Sequence, residues 1–312
     1  MHRRVLLSAL LPMALAFTGH ALAQKHSGGS SPPTPPPQHA TPPPAPIFPP
    51  VSSGLGPLEF ATADYAVPSP QTLSRQLQAE DSRTRATALA AVGAPAQYLV
   101  TGHVPMPHSV QLDLVDLGGS SELDALLTVE LDQHLITAIL LTTEGDWRRI
   151  GTMTLHATFS DPATTPDTFL HIVHSMHERG RNRAVFHGLT DSPNGDFNEN
   201  EARLRIIDNK AVVTISFVSG LRVCDTPATN HIHQGCEITQ RWIQGDPAVA
   251  HALTLVTGTG HLTPKEAADP LARSRDFQMS HLRSFFCQPF AFNDTTQHYD
   301  PTGPVEACGT AH

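Results

Sequence analysis

Residues Ala211–Gln244 read AVVTISFVSGLRVCDTPATNHIHQGCEITQRWIQ. Val212, Thr214, Ser216 and Val218 alternate with Val213, Ile215 and Phe217. This β-branched and aromatic run predicts a strand with at least one buried face. A second run, Glu237 to Ile243, carries Ile238, Thr239, Trp242 and Ile243. The polar segment between the runs is bracketed by Cys224 and Cys236. The stretch therefore reads as a long β-hairpin tied at its open end by a disulfide, with Cα atoms about 4.4–6.8 Å apart.

Outward from this hairpin, similar runs recur: Val110 to Val115, Ala125 to Glu130, Leu135 to Thr142, Trp147 to Phe159, Phe169 to His177, Ala184 to Leu189 and Ala202 to Ile207 before it, Ala252 to His261 and Leu282 to Phe292 after it. The links are turn formers, among them Gly118-Gly119, Glu144-Gly145, Asn194-Gly195 and Asp208-Asn209. Short strands joined by tight turns, with no helix between them, predict antiparallel sheets. Residues 97–312 thus read as a mainly β domain, a sandwich or curved meander, with propeller-like blades as the alternative.

The N-terminal third is organised differently. Arg3 and Arg4, the apolar run Val5 to Phe17 and the small-residue site Ala21-Leu22-Ala23 predict a secretory signal peptide over 1–23, cleaved before Gln24. No Cys follows the cleavage site to carry a lipid, and no later stretch is apolar enough for a membrane helix. Residues 24–57 are expected to be a disordered Pro-rich linker. Ser31 to Pro50 holds 11 of the 28 Pro, a composition that favours extended polyproline II. Residues 58–96 are expected to form a helical hairpin. Ser69-Pro70 is an N-cap and first-turn pair, and Leu73 and Leu77 share one face. Asp81 or Ser82 caps a second helix that stops at Gly93 and Pro95. The text LSRQLQAEDSRTRATALAAVGAP, with two short helices, an acidic turn, an Arg and an Ala/Leu face, resembles one unit of a HEAT repeat. No second copy follows, and one such unit must bury its face against the β domain.

Charge and cysteine usage bound the partners. The net charge of −9 becomes −11 once Arg3 and Arg4 leave with the signal peptide. An acidic exported chain is a poor match for nucleic acid or anionic membranes. The four Cys predict two disulfides, Cys224–Cys236 and Cys287–Cys308, the second pinning the C-terminal tail. The chain is long enough not to need them for its core, so they are expected to hold edges and termini.

Several clusters offer metal ligands, and none is favoured over a structural role. Asp116-Leu117-Gly118-Gly119-Ser120-Ser121-Glu122-Leu123-Asp124 resembles the turn of FG-GAP or VCBS-type extracellular repeats. That resemblance implies a propeller-like fold and calcium held by Asp116 and Asp124. Gly118 and Ser120 replace two of its ligand positions, whereas calcium wants six or more oxygens. A second acidic loop, Asp191 to Glu201, supplies Asp191 and Asp196, and its Pro-Asn-Gly-Asp turn needs no ion. His171, His174 and His177 converge only on a helix, and their neighbours favour a strand. His231 and His233 join Cys224 and Cys236 as four possible zinc ligands, but an exported chain favours the disulfide. No cofactor is expected, with Ca²⁺ or Zn²⁺ as the only candidates.

Catalytic signatures are absent: no G-x-S-x-G elbow, no H-E-x-x-H, no phosphate loop. A carboxylate-pair glycosidase needs no local motif. The expectation is an exported, non-enzymatic binding or envelope-associated protein, periplasmic or extracellular, with a cell-envelope or extracellular ligand. The alternative is a secreted hydrolase with dispersed catalytic residues.

Overall fold

Tight turns fold the chain into two antiparallel sheets. The computed structural model describes Phe48 and residues 58–100, 102–119, 122–156, 166–173, 182–191, 195–224, 235–244 and 252–309. In chain order, β1 (Leu58–Ala66) precedes the helical hairpin α1 (Pro70–Leu77) and α2 (Ser82–Val92), then a 3-10 turn at Ala96–Leu99. β2 (Ser109–Val115), β3 (Asp124–Leu131), β4 (His134–Thr143) and β5 (Asp146–His156) follow. After α3 (Pro166–Phe169) come β6 (Leu170–Val173), β7 (Arg183–Asp191), β8 (Phe197–Ile207), β9 (Lys210–Cys224), β10 (Cys236–Gln244) and β11 (Ala252–Leu262). α4 (Pro264–Ala267) and α5 (Arg275–Ser280) lead to β12 (Leu282–Asn293), β13 (His298–Pro301) and β14 (Glu306–Ala307).

The first sheet is five-stranded, in the order β1-β5-β4-β3-β2; the second is nine-stranded, running from β13 through β12 and back to β6, with β14 added against β12. Sequential neighbours pair almost throughout, so both sheets are meanders. The propeller alternative is overturned: among the described residues the strands form two continuous sheets rather than separate blades of about four strands each. Two-residue turns set the registers. Asp208 and Asn209 have φ of 50° and 61°, and Glu144 and Gly145 have 54° and 88°. Two consecutive left-handed residues match the twist of the flanking strands.

Alternation decides which sheet face meets which layer. Leu126 of β3 and Leu135, Ile139 and Leu141 of β4 enter a core shared with Phe186, Ala202 and Leu204 of the second sheet. Their neighbours Ala125, Leu127, Val129, Ile136, Ala138 and Leu140 point the other way, into a core closed by Leu73, Leu77, Leu89 and Val92 of the helical hairpin. The first sheet is thus buried on both faces. β3 and β4 read as continuous apolar runs for that reason, and each fully buried Leu or Ile contributes about 2–3 kcal/mol as an upper bound.

The caps form where expected. Ser69 Oγ accepts from the Thr72 N–H, Asp81 Oδ2 accepts from the Thr84 N–H, and Gly93 ends α2 with φ 84°. Other elements correct the sequence expectation. Residues 58–96 are not helical throughout, because Leu58–Ala66 pairs with β5 as an edge strand. Only Leu58 in it is buried, so its apolar alternation is too short to signal a strand. The acidic loop Asp191–Glu201 is mostly ladder: Asp191 pairs with Phe197, and Glu199, Asn200 and Glu201 face Leu189, Gly188 and His187. Of the run expected from Phe169 to His177, Phe169 ends α3, Leu170–Val173 form a strand, and residues 174–177 lie outside the described residues. The linker expectation over 24–57 meets one described residue, Phe48, whose ring lies 5.3 Å from that of Phe286 on β12. Its remaining residues, like 1–23, lie outside the described residues.

Candidate functional site

A concavity among the described residues lies between the two sheets. β5 carries an extra residue there. Ile139 pairs with Gly151 and Leu140 with Arg149, so Ile150 is bulged against β4. On the other side Thr62 pairs with Gly151 and Tyr65 with Arg149, which leaves Ala63 and Asp64 opposite Ile150. The bulged Ile150, with Ala63 and Asp64 opposite it, lines a cleft of about 790 Å³ whose other wall is β9.

Its floor is apolar, with Phe60, Ile150, Ala211 and Val213; its rim is polar, with Thr62, Asp64, Thr143, Arg148, Asp208, Asn209, Lys210 and His298. β1, β5, β9, β13 and the β8–β9 turn each supply part of it. Gly151 sets the spacing: a Cβ there would stand 2.9 Å from the Phe60 ring and 3.1 Å from Ala211 Cβ. Only glycine lets β5 come this near both neighbours. Arg148 Nε donates to Asp64 Oδ1 at 2.7 Å, and Arg148 Nη2 lies 2.6 Å from the same oxygen. The pair is exposed, so it orients the rim more than it stabilises the fold. The lining holds neither Ser nor Cys.

A second constellation was not visible in the sequence. Tyr98 Oη lies 2.6 Å from His134 Nδ1, His134 Nε2 lies 3.0 Å from His156 Nδ1, and His156 Nε2 lies 2.9 Å from Glu59 Oε2. With both imidazoles neutral, one polarity satisfies every contact: Tyr98 O–H donates to His134, His134 Nε2–H to His156, and His156 Nε2–H to the carboxylate. Burial holds the His134 pKa below the ordinary value, with the neighbouring His156 adding to it and Glu59 opposing. The chain links the 3-10 turn to three strands of the first sheet. Its buried end, Tyr98, is closed to a substrate. The available signal was register: His134 and His156 are directly paired at the ends of successive strands.

Among the described residues, the metal candidates singled out in the sequence form no group of three or more ligands. Asp116 Oδ1 accepts from the Gly119 N–H at 2.6 Å, and Asp124 Oδ2 accepts from Leu117 and Gly118 N–H at 2.8 and 3.1 Å. Both carboxylates therefore engage main-chain donors of their own turn. Asp196 Oδ1 accepts from the Cys224 N–H at 2.6 Å, and Asp191 ends β7. His171 is exposed on β6. His174, His177, His231 and His233 lie outside the described residues. No group of three or more His, Cys, Asp or Glu is placed to hold a metal among the described residues.

The cysteines pair as Cys224–Cys236 and Cys287–Cys308. Cys224 and Cys236 are direct cross-strand partners with Cα atoms 4.0 Å apart, nearer than the usual spacing of a disulfide. Direct opposition in an antiparallel ladder accounts for the closeness. Arg222 Nε lies over both sulfurs at 3.3 and 3.4 Å, and its Nη2 donates to Ala267 O, so the disulfide end of the hairpin is tied to α4.

Arg241 on β10 is the least satisfied charge among the described residues. It is 2% exposed, and Nε and Nη1 have no hydrogen-bond partner. Burial pushes its pKa down to about 10, so the guanidinium stays charged at neutral pH. An unpaired buried ion costs on the order of several kcal/mol. The Phe48 ring, centred 5.6 Å from the Arg241 Cζ, returns about 0.5–2 kcal/mol through its π face.

No protein-family model, no curated protein and no solved structure matches this chain. The site is therefore read from its own geometry.

Proposed function

We propose that the chain is an exported, non-enzymatic binding protein that holds a ligand in the cleft between its two sheets, in the periplasm or outside the cell. The double bulge at Ile150 carries this reading, because it lines a concavity of ligand size, about 790 Å³, with an apolar floor and a charged rim. Arg148, Lys210 and Asp208 suit a ligand with an apolar body and polar ends. The two disulfides agree with an oxidising compartment. No helix among the described residues is long and apolar enough to cross a membrane. The residues 1–23 supply the export signal on this reading, and the Pro-rich stretch supplies reach from an envelope partner.

The hydrolase alternative draws on Asp64 and Asp208 as the carboxylates of the cleft, and Asp64 is already engaged by Arg148.

Fluorescence titration of the mature chain with 8-anilinonaphthalene-1-sulfonate tests the proposal. Saturable binding with one site in the cleft is expected, and Ala63→Trp, which fills the mouth, should abolish it while leaving the melting temperature unchanged. Absence of saturable binding, or equal binding by the Trp variant, would refute the proposal.

A further inference from the structure

The row Arg241, Thr257 and Phe286 runs across β10, β11 and β12 in direct register. Phe48 covers this row, stacked over the Arg241 guanidinium and against Phe286. None of these residues belongs to the cleft between the sheets. Next to Gly220, the last β9 partner of β10, Ser219 is bulged against β8, and its buried hydroxyl also lacks a partner.

A cation this deeply buried calls for a counter-charge, and none of the described residues is paired with it. Nε and Nη1 have no acceptor. Phe48 contributes an aromatic ring, and residues 24–57 contain neither Asp nor Glu to supply a carboxylate. A purely structural position of this kind favours an apolar residue of similar volume over an unpaired arginine. A planar guanidinium is the side chain best suited to a carboxylate or phosphate, through several charge-assisted hydrogen bonds at once.

We propose that Arg241 anchors an oxyanion-binding site on the β10–β11–β12 face, which takes the carboxylate or phosphate group of a ligand in place of the Phe48 ring. Phe48 and the anion then compete: the ring shields the cation when the site is empty and gives way when it is filled. Apparent affinity is lowered by the fraction of chains in which the ring is seated.

Thermal melts and calorimetric titration of the mature chain with sodium phosphate and with sodium acetate, against sodium chloride at matched ionic strength, test this. One oxyanion should raise the melting temperature beyond chloride, and the larger response assigns phosphate or carboxylate as the group recognised. Phe48→Ala should bind that anion roughly tenfold more tightly, because the competitor is gone. Arg241→Met should lose the response yet be at least as stable as the parent without anion. Arg241→Lys should retain only part of it. Responses equal to chloride in both the parent and Phe48→Ala, or an undiminished response in a folded Arg241→Met, would overturn the proposal.

Discussion

Asp124 shows how one residue can be essential to a turn and costly at the same time. Its Oδ2 closes the turn on two main-chain N–H groups, and those bonds favour the carboxylate. Its Oδ1 is buried without a partner, and burial outweighs the bonds, so its pKa is raised to about 6. In an unfolded chain the same group titrates at about 3.9. Between those values the folded chain keeps a proton that the unfolded chain has lost. The resulting stability is complete below about pH 4 and is lost as pH rises through about 6, by roughly 2–3 kcal/mol. Asp124→Asn keeps an acceptor for the turn and cannot ionise. Urea midpoints should show the Asn variant gaining on the parent by about 2 kcal/mol between pH 4 and pH 7.5. A difference that stays constant over that range would show that Asp124 is ionised throughout. The sequence marked this residue through its resemblance to a calcium-binding turn. In the structure its Oδ2 holds the main chain of the same turn.

At the scale of elements, short-range chemistry was legible and long-range pairing was not. Ser69-Pro70, Asp81 and Gly93 set the ends of two helices by groups within four residues of each other. The turns at Glu144-Gly145 and Asp208-Asn209 likewise declare themselves. β1 does not, since its partner β5 lies far along the chain and its own alternation is brief. The cleft was hidden for the same reason, because a bulge appears only when two registers are compared. Arg85 is the clearest case within the helical hairpin. It is buried, and its guanidinium donates to four carbonyls: Ala79 and Glu80 after α1, and Val104 and Pro105 beyond the 3-10 turn. Five donors on a rigid plane can do this; an ammonium cannot. Arg85→Met should cost about 3 kcal/mol by leaving these carbonyls without their donor, and Arg85→Lys should recover less than half of that. Chemical denaturation of the two variants checks it, and a Lys variant as stable as the parent would reduce Arg85 to a point charge.

Among the described residues the two sheets share one core layer, beside a second core under the helical hairpin, and cooperativity between the sheets follows from that sharing. The antiparallel β class was readable from strand lengths and turns alone. The division into five and nine strands was not, because alternation tells which face of a strand is buried but not against which sheet. Phe169 of α3 and Phe186 and Leu204 of the second sheet fill the same layer as Leu126, Ile139 and Met153 of the first. Neither sheet can expose that layer alone without losing a large fraction of its apolar burial, so both should unfold together. The chain has two Trp, Trp147 on β5 and Trp242 on β10, one in each sheet. Trp147→Phe and Trp242→Phe therefore leave single fluorophores that report the sheets separately. Their urea midpoints, each referred to circular dichroism of the same variant, should coincide. Phe186→Ala, which opens a cavity in the shared layer, should lower both by the same amount, equivalent to about 3–5 kcal/mol. A fluorescence midpoint that departs from the circular dichroism midpoint in either variant, or a Phe186→Ala effect confined to the Trp242 signal, would mean that the two sheets fold as separate units and that the cleft between them is a boundary between domains.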